Sequence, residues 1–161
     1  MSRYLAVLAV AALGLTQCSP KPADAPASAA SAAVSYAYDV DFELTPAAAV
    51  KLKQTGAKVS VTALYFGHPT PEGASQAGAD YTIHFNMDTV PVTPENQTVH
   101  MTGAGIDLSK LPVITQRKPL VLVDAVATVK PGGKNLLTCA DFEDYITVAQ
   151  EQPVKLVCDV K

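Results

Sequence analysis

Tyr36-Ala37-Tyr38-Asp39-Val40-Asp41-Phe42-Glu43-Leu44 alternates without a break. Tyr36, Tyr38, Val40, Phe42 and Leu44 fall on one side, and Ala37, Asp39, Asp41 and Glu43 on the other. Successive side chains of a strand point to opposite faces, so the pattern predicts a half-buried strand with one wet face, as antiparallel sheets contain. Thr45-Pro46 supplies a helix N-cap followed by proline at N1, and Gly56 closes the segment, which predicts a short helix over 46–54. Val59, Val61, Ala63 and Tyr65 mark a second strand, and Leu64 with Phe66 makes its far end apolar on both sides.

Gly67 to Asp80 holds two prolines and three glycines in 14 residues and reads as a long loop. Tyr81–Met87 and Thr98–Thr102 alternate again, with Pro91 and Pro94 between them. Pairing these two runs places Phe85 opposite Val99 and Ile83 opposite Met101 on a core side. The same register sets His84 against His100 on an outer side, with like polarity at every step. Asp107–Leu111 suits one helical turn. Leu120–Val129 starts apolar on both sides and predicts a central strand. Lys130–Lys134 is a turn. Over 140–150, Phe142, Ile146 and Ala149 recur at helical spacing, and the acidic run Asp141–Asp144 suits the positive end of a helix dipole. Pro153–Val160 is a last strand with Val154, Leu156, Cys158 and Val160 inward. The expected fold is mainly β: an antiparallel β-sandwich of six to seven strands with two short helical connections.

The chain has 161 residues, of which 17% are charged, with net charge −3. Removing residues 1–17, whose one charge is Arg3, makes this −4. So mild and negative a balance excludes a nucleic-acid binder that works through a basic surface. No apolar stretch approaches the ~20 residues of a membrane-spanning helix.

Residues 1–17 read as an export signal: Arg3 is followed by a 12-residue apolar run, Tyr4–Leu15. Leu15-Thr16-Gln17-Cys18 comes next and resembles the lipobox of bacterial lipoproteins, with Gln17 where a smaller residue is usual. The resemblance covers about the first 20 residues. It implies that Cys18 is acylated, with fatty acids such as palmitate, and becomes the first residue of the mature protein. Ser19 behind it implies passage to the outer membrane. Residues 18–33 contain seven Ala, three Ser and three Pro. Such a segment has no large apolar side chain to offset the entropy of ordering it, so it is expected to be a flexible tether. Residues 34–161 then form a single domain.

Two cysteines remain, Cys139 and Cys158, 19 apart and without CxxC spacing. In an oxidising compartment they are expected to form a disulfide, which stabilises by roughly 3 kcal/mol for a loop of this size. His84 and His100 suggest a second possibility, a copper or zinc site, to which His68, Asp88 or a partner would add a third ligand. Met87 and Met101 are placed on the core side by strand parity. Asp39, Asp41 and Glu43 project too straight for calcium and read as a solvated face. Gly103-Ala104-Gly105 lacks the surrounding βαβ unit of a dinucleotide site and reads as a turn. Nucleophile, P-loop and zinc-protease motifs are missing. No enzyme activity and no cofactor is expected.

These readings converge on a lipid-anchored envelope protein facing the periplasm or the cell surface. Its domain is expected to bind or adapt a protein partner, with His68 and Glu72 of the 67–80 loop as candidate contacts. The copper- or zinc-binding protein using His84 and His100 is one alternative. An inhibitor of an envelope enzyme is another, suggested only by the size and β-rich build shared with such lipoproteins.

Overall fold

The 36–44 alternation becomes β1 (Tyr38–Leu44), in which Tyr38, Val40, Phe42 and Leu44 are buried and Asp39 and Glu43 exposed. This computed structural model describes residues 34–161, so the expected export signal over 1–17, Cys18 and the 18–33 segment lie outside the described residues. Thr45 caps α1 (Pro46–Thr55), its Oγ1 accepting from the Ala48 N–H at 3.2 Å. Gly56 ends the helix in the left-handed conformation, φ +62°, and Ala48 and Leu52 point into the core. Then follow β2 (Lys58–Gly67), β3 (Ile83–Val92), β4 (Gln97–Met101), β5 (Leu120–Thr128), β6 (Leu137–Cys139), β7 (Phe142–Tyr145), α2 (Ile146–Glu151) and β8 (Val154–Val160). Short 3-10 turns occupy Ala74–Gln76, Leu108–Val113 and Thr115–Arg117.

Two four-stranded sheets result, ordered β4-β1-β8-β6 and β3-β2-β5-β7. Their facing sides form one core that includes Val40, Phe42, Val61, Tyr65, Met101, Val121 and Leu156, all fully buried. The domain is thus the expected β-sandwich with short helical connections, and β5 is the central strand its composition predicted. Among the described residues it has eight strands. All pairings are antiparallel except β1 with β8, which run parallel from Val40↔Val154 to Leu44↔Cys158. Cys139 and Cys158 stand directly opposite each other in the β6–β8 pair and are joined by a disulfide, Cα–Cα 4.0 Å.

Three expectations need correction. First, β3 and β4 do not pair: the chain crosses from one sheet to the other between Val92 and Gln97. β4 lies antiparallel to β1, with Val99 opposite Val40, and β3 lies antiparallel to β2. Two alternating strands match in polarity in any register of the right parity, so the match did not specify a partner. Second, β3 carries a bulge. Leu64 faces Met87 but Phe66 faces His84, leaving Phe85 and Asn86 against the single residue Tyr65. Asn86 is the extra residue, and its N–H donates to the Gly105 carbonyl at 2.9 Å. The bulge reverses parity, so Met87 leaves the core side and stands 57% exposed beside His84. Third, Phe142–Tyr145 is strand, not helix, and α2 begins at Ile146. Phe142, Ile146 and Ala149 still face the core, because a strand leading into a helix presents them as one long helix would. The acidic Asp141–Asp144 run therefore stands at the sheet edge, paired to β5, rather than at a helix start.

Between the sheets lies a small polar cluster. The Tyr65 hydroxyl donates to Asp88 Oδ2 at 3.0 Å. The neighbouring Tyr38 hydroxyl is buried beside that of Tyr65 and makes no hydrogen bond of good geometry. Burial pushes the Tyr38 phenol up to about 12, and burial together with Tyr38 and Asp88 raises that of Tyr65 as well.

Candidate binding face

The second sheet turns its outer face to solvent, and the middle of that face is apolar. Strand registers align Met87, Leu64 and Leu122 in one row across β3, β2 and β5, and His84, Phe66 and Leu120 in the next. Glu143 and Tyr145 of β7 extend the two rows. The opposite faces of β2 and β5 carry Val61, Ala63, Tyr65, Val121, Val123 and Ala125, all fully buried. Of the apolar outer residues, Met87 is exposed, Leu64, Leu120 and Leu122 are half-buried, and Phe66 is 8% exposed. A groove of about 230 Å³ runs over them, lined by Leu64, Phe66, Asp80, Thr82, His84, Leu122 and Glu143.

The rim beside β3 is built by a tight turn. Gly78 N–H donates to the Thr82 carbonyl at 2.8 Å and Tyr81 N–H to the Gly78 carbonyl at 3.1 Å. Tyr81 takes φ +59° and is 81% exposed. A left-handed non-glycine residue costs about 1–2 kcal/mol, so the turn holds this aromatic outward against a local preference. Asp80, Thr82 and His84 close into a triangle. His84 Nε2 lies 2.7 Å from Asp80 Oδ2, while the Thr82 hydroxyl lies 2.8 Å from each of these atoms. His84 first, then Thr82, holds the Asp80 carboxyl well below its ordinary range, at about 2. The Phe66 ring lies under His84, centroids 6.4 Å apart, and meets His68 edge-on at 6.5 Å.

Asp, Thr and His in contact invite comparison with a hydrolase triad. Nucleophile activation needs the hydroxyl on one imidazole nitrogen and the carboxylate on the other. Here both fall on Nε2, so Asp80 occupies the position from which a base would take the Thr82 proton. The triangle shapes the rim and orients His84.

The expected His84–His100 pair is not formed. His84 faces outward from the second sheet. His100 faces outward from the first, where its Nδ1 lies 2.8 Å from Asp39 Oδ1 beside a separate cleft of about 260 Å³. Pairing β4 with β1 instead of β3 removes the geometry on which the two-histidine copper or zinc site rested. Among the described residues no group of three or more His, Cys, Asp or Glu side chains is placed to hold a metal ion. Asp88, considered as a third ligand, instead accepts from Tyr65. Asp41 accepts from the Thr98 hydroxyl at 2.8 Å, so the acidic face of β1 is tied into cross-strand hydrogen bonds.

Residues 67–80 are pinned to the 113–115 segment. Thr70 N–H donates to the Val113 carbonyl at 2.9 Å and Thr115 N–H to the His68 carbonyl at 2.8 Å. His68 and Glu72 are exposed, and neither lines the groove. Glu72 is held below its ordinary value by its own backbone N–H and the Thr70 hydroxyl. The loop contributes to the groove through its end, Asp80, and the turn that follows it. The sequence did not single out Leu64, Phe66, Tyr81, Thr82, Leu122 or Glu143 as site residues, and its strand parity placed Met87 on the core side. The available signal was the two-sided apolarity of 64–66 and of the start of β5.

Fold and face together define a disulfide-stapled β-sandwich with an uncovered apolar groove on one sheet. No protein family, curated protein or solved structure matches the chain.

Proposed function

We propose that this chain is a lipid-anchored protein of the bacterial outer membrane, held through Cys18, whose 34–161 domain acts by binding a protein partner in the envelope and not by catalysis. The observation that carries the binding reading is the groove over Leu64, Phe66 and Leu122, with Tyr81 and Met87 exposed at its side. Aromatic residues and methionine are enriched where proteins meet, and an apolar patch with a polar rim is the usual build of a contact surface. The geometry of the Asp80–Thr82–His84 triangle supports a role other than nucleophilic catalysis. The leader and Cys18 support the anchor.

A photo-crosslinking residue at position 81 or 87, in cells carrying the otherwise native chain, tests the face. The expected result is a discrete crosslinked protein that is absent when the probe sits at Val50, an exposed position on α1. Equal labelling from all three positions refutes the face. The anchor has a separate readout: Cys18→Ser should release the protein from the outer-membrane fraction or leave its signal uncleaved. A cleaved Cys18→Ser chain that stays with the membrane refutes the anchor.

A further inference from the structure

We infer that the groove receives an aliphatic side chain carried on an extended, lysine- or arginine-bearing segment of the partner protein. This rests on the docking reading above and adds the chemistry of the occupant. The groove, at about 230 Å³, falls below the roughly 300–1,000 Å³ of small-molecule sites. That volume suits one side chain. The floor is hydrocarbon, Leu64, Phe66 and Leu122, which selects an aliphatic or aromatic group.

The flanks are acidic. Asp80, bound to His84 of β3, stands on one side and Glu143 of β7 on the other, while Asp124 follows Leu122 on the outward side of β5. Positive charge near the face is carried by Lys161, which acts on Asp124, by exposed Lys118 two residues before Leu120, and by Lys110, whose Nζ is engaged by the His84 carbonyl at 2.9 Å. Asp80 and Glu143, which line the groove, have no lysine or arginine ion-pair partner among the described residues. Lys58, outward on β2, is six residues from Leu64, about 20 Å along the strand. Strands β3 and β7 are three spacings apart, roughly 14 Å. An extended segment places residues i, i+2 and i+4 on one side over about 13 Å. A Lys-Xaa-Leu-Xaa-Lys segment lying across the strands would thus set its leucine over Leu64 and Leu122 and its two cations beside Asp80 and Glu143. A second copy docked face to face about a two-fold axis brings acidic rim towards acidic rim, which disfavours self-association. Anionic lipid is repelled for the same reason.

The test uses the full-length protein and two peptides that carry the same uncharged fluorophore, acetyl-Lys-Thr-Leu-Thr-Lys-amide and acetyl-Glu-Thr-Leu-Thr-Glu-amide, read by anisotropy. At low salt the basic peptide should bind about five- to tenfold more tightly than the acidic one, as two partly exposed ion pairs allow. The preference should fade towards 0.5 M salt, in Glu143→Gln, and more completely in Glu143→Lys. Leu122→Asp should remove binding of both. Glu143 is exposed, so its variants report even where Leu122→Asp fails to fold.

Equal binding of the two peptides, a preference that Glu143→Lys leaves intact, or no binding of either overturns the inference. Concentration-dependent dimerisation blocked by Glu143→Lys would also overturn it, by assigning the groove to a second copy. The crosslinks from positions 81 and 87 report independently. If they persist while the peptides show no charge preference, the docking reading stands and the occupant's chemistry is wrong.

Discussion

Tyr65→Phe and Tyr38→Phe each remove one hydroxyl from the same buried cluster and should act with opposite sign. Tyr65 is fully buried and donates to Asp88 Oδ2 at 3.0 Å. A hydrogen bond to a charged group contributes about 1.5–3 kcal/mol. Asp88 is only half-buried and regains water when the hydroxyl goes, which places the loss near the lower end, about 1.5 kcal/mol. Tyr38 is 4% exposed, and its hydroxyl, beside that of Tyr65, makes no hydrogen bond of good geometry. Deleting that group recovers part of a desolvation penalty of about 1–3 kcal/mol while the ring keeps its packing, so Tyr38→Phe should be neutral or up to about 1 kcal/mol stabilising. Urea denaturation with an unchanged m-value measures both, and each kcal/mol should appear as roughly 3–5 °C in Tm. Alkaline pH gives a second readout. The Tyr38 phenol ionises at 10.0 when unfolded and at about 12 when folded. Its contribution is fully present below pH 10 and lost as pH rises from there through 12, a change of roughly 2–3 kcal/mol that Tyr38→Phe should subtract from the alkaline loss, leaving the part due to Tyr65. If Tyr38→Phe destabilises as much as Tyr65→Phe, the two hydroxyls share a hydrogen bond and the account of an unpartnered Tyr38 is refuted.

Three further outcomes are expected. Asp80 should titrate near pH 2 by NMR and move upward in His84→Ala; a midpoint that ignores the variant rejects the triangle. Because its folded value is depressed, Asp80 favours folding above its ordinary value and loses that effect as pH falls towards 2. Replacing both Cys139 and Cys158 by alanine should cost roughly 3 kcal/mol in chemical denaturation, and a loss below about 1 kcal/mol would show a staple of little consequence. Gly103→Ala should cost more than about 2 kcal/mol, because a left-handed backbone is compounded by collision. Its φ is +69° and its new Cβ would lie 2.5 Å from the Tyr36 carbonyl oxygen; a melting temperature equal to wild type would contradict that fit.

The elements that were legible in the sequence are those whose cause is local. β1 carries unbroken alternation, α1 is bracketed by Thr45-Pro46 and Gly56, and β5 and β8 keep one parity throughout. What escaped depends on distant partners. The bulge at Asn86 is held by the carbonyl of Gly105, which no pattern in 81–87 announces. The choice of β1 over β3 as the partner of β4 is a matter of which sheet each strand joins. Phe142, Ile146 and Ala149 satisfy helical spacing, yet pairing to β5 turns Phe142–Tyr145 into strand, because a six-residue α2 has little helical stability to oppose it. The site was half legible. The two-sided apolarity of 64–66 and 120–122 is visible in the sequence, but at 120–122 it equally signals a buried central strand, while loop composition singles out His68 and Glu72 and not the turn at 80–82.

That two-sided apolarity bears directly on what the domain does. Strands apolar on both sides are usual where crossover helices cover a parallel sheet. Here β2 lies between two antiparallel neighbours, so no crossover over its outer face is required. Both helices are used elsewhere: α1 packs on β8 and β1, and α2 packs against β1 and β7. Met87 is exposed and Leu64 and Leu122 are half-buried, with the Asp80–Thr82–His84 corner at one side of the groove over them. Shifting β3 by one residue at Asn86 enlarges the exposure, since without the bulge Met87 would face the core. The same stretch spends local strain to hold Tyr81 outward. An uncovered apolar row, a bulge that adds a methionine to it and a strained turn that adds a tyrosine all raise the free energy of the isolated domain or lower its solubility. Burying Met87, Leu64 and Leu122 against a partner removes the apolar part of that cost, and the acidic flanks at Asp80 and Glu143 bias which partner can do so.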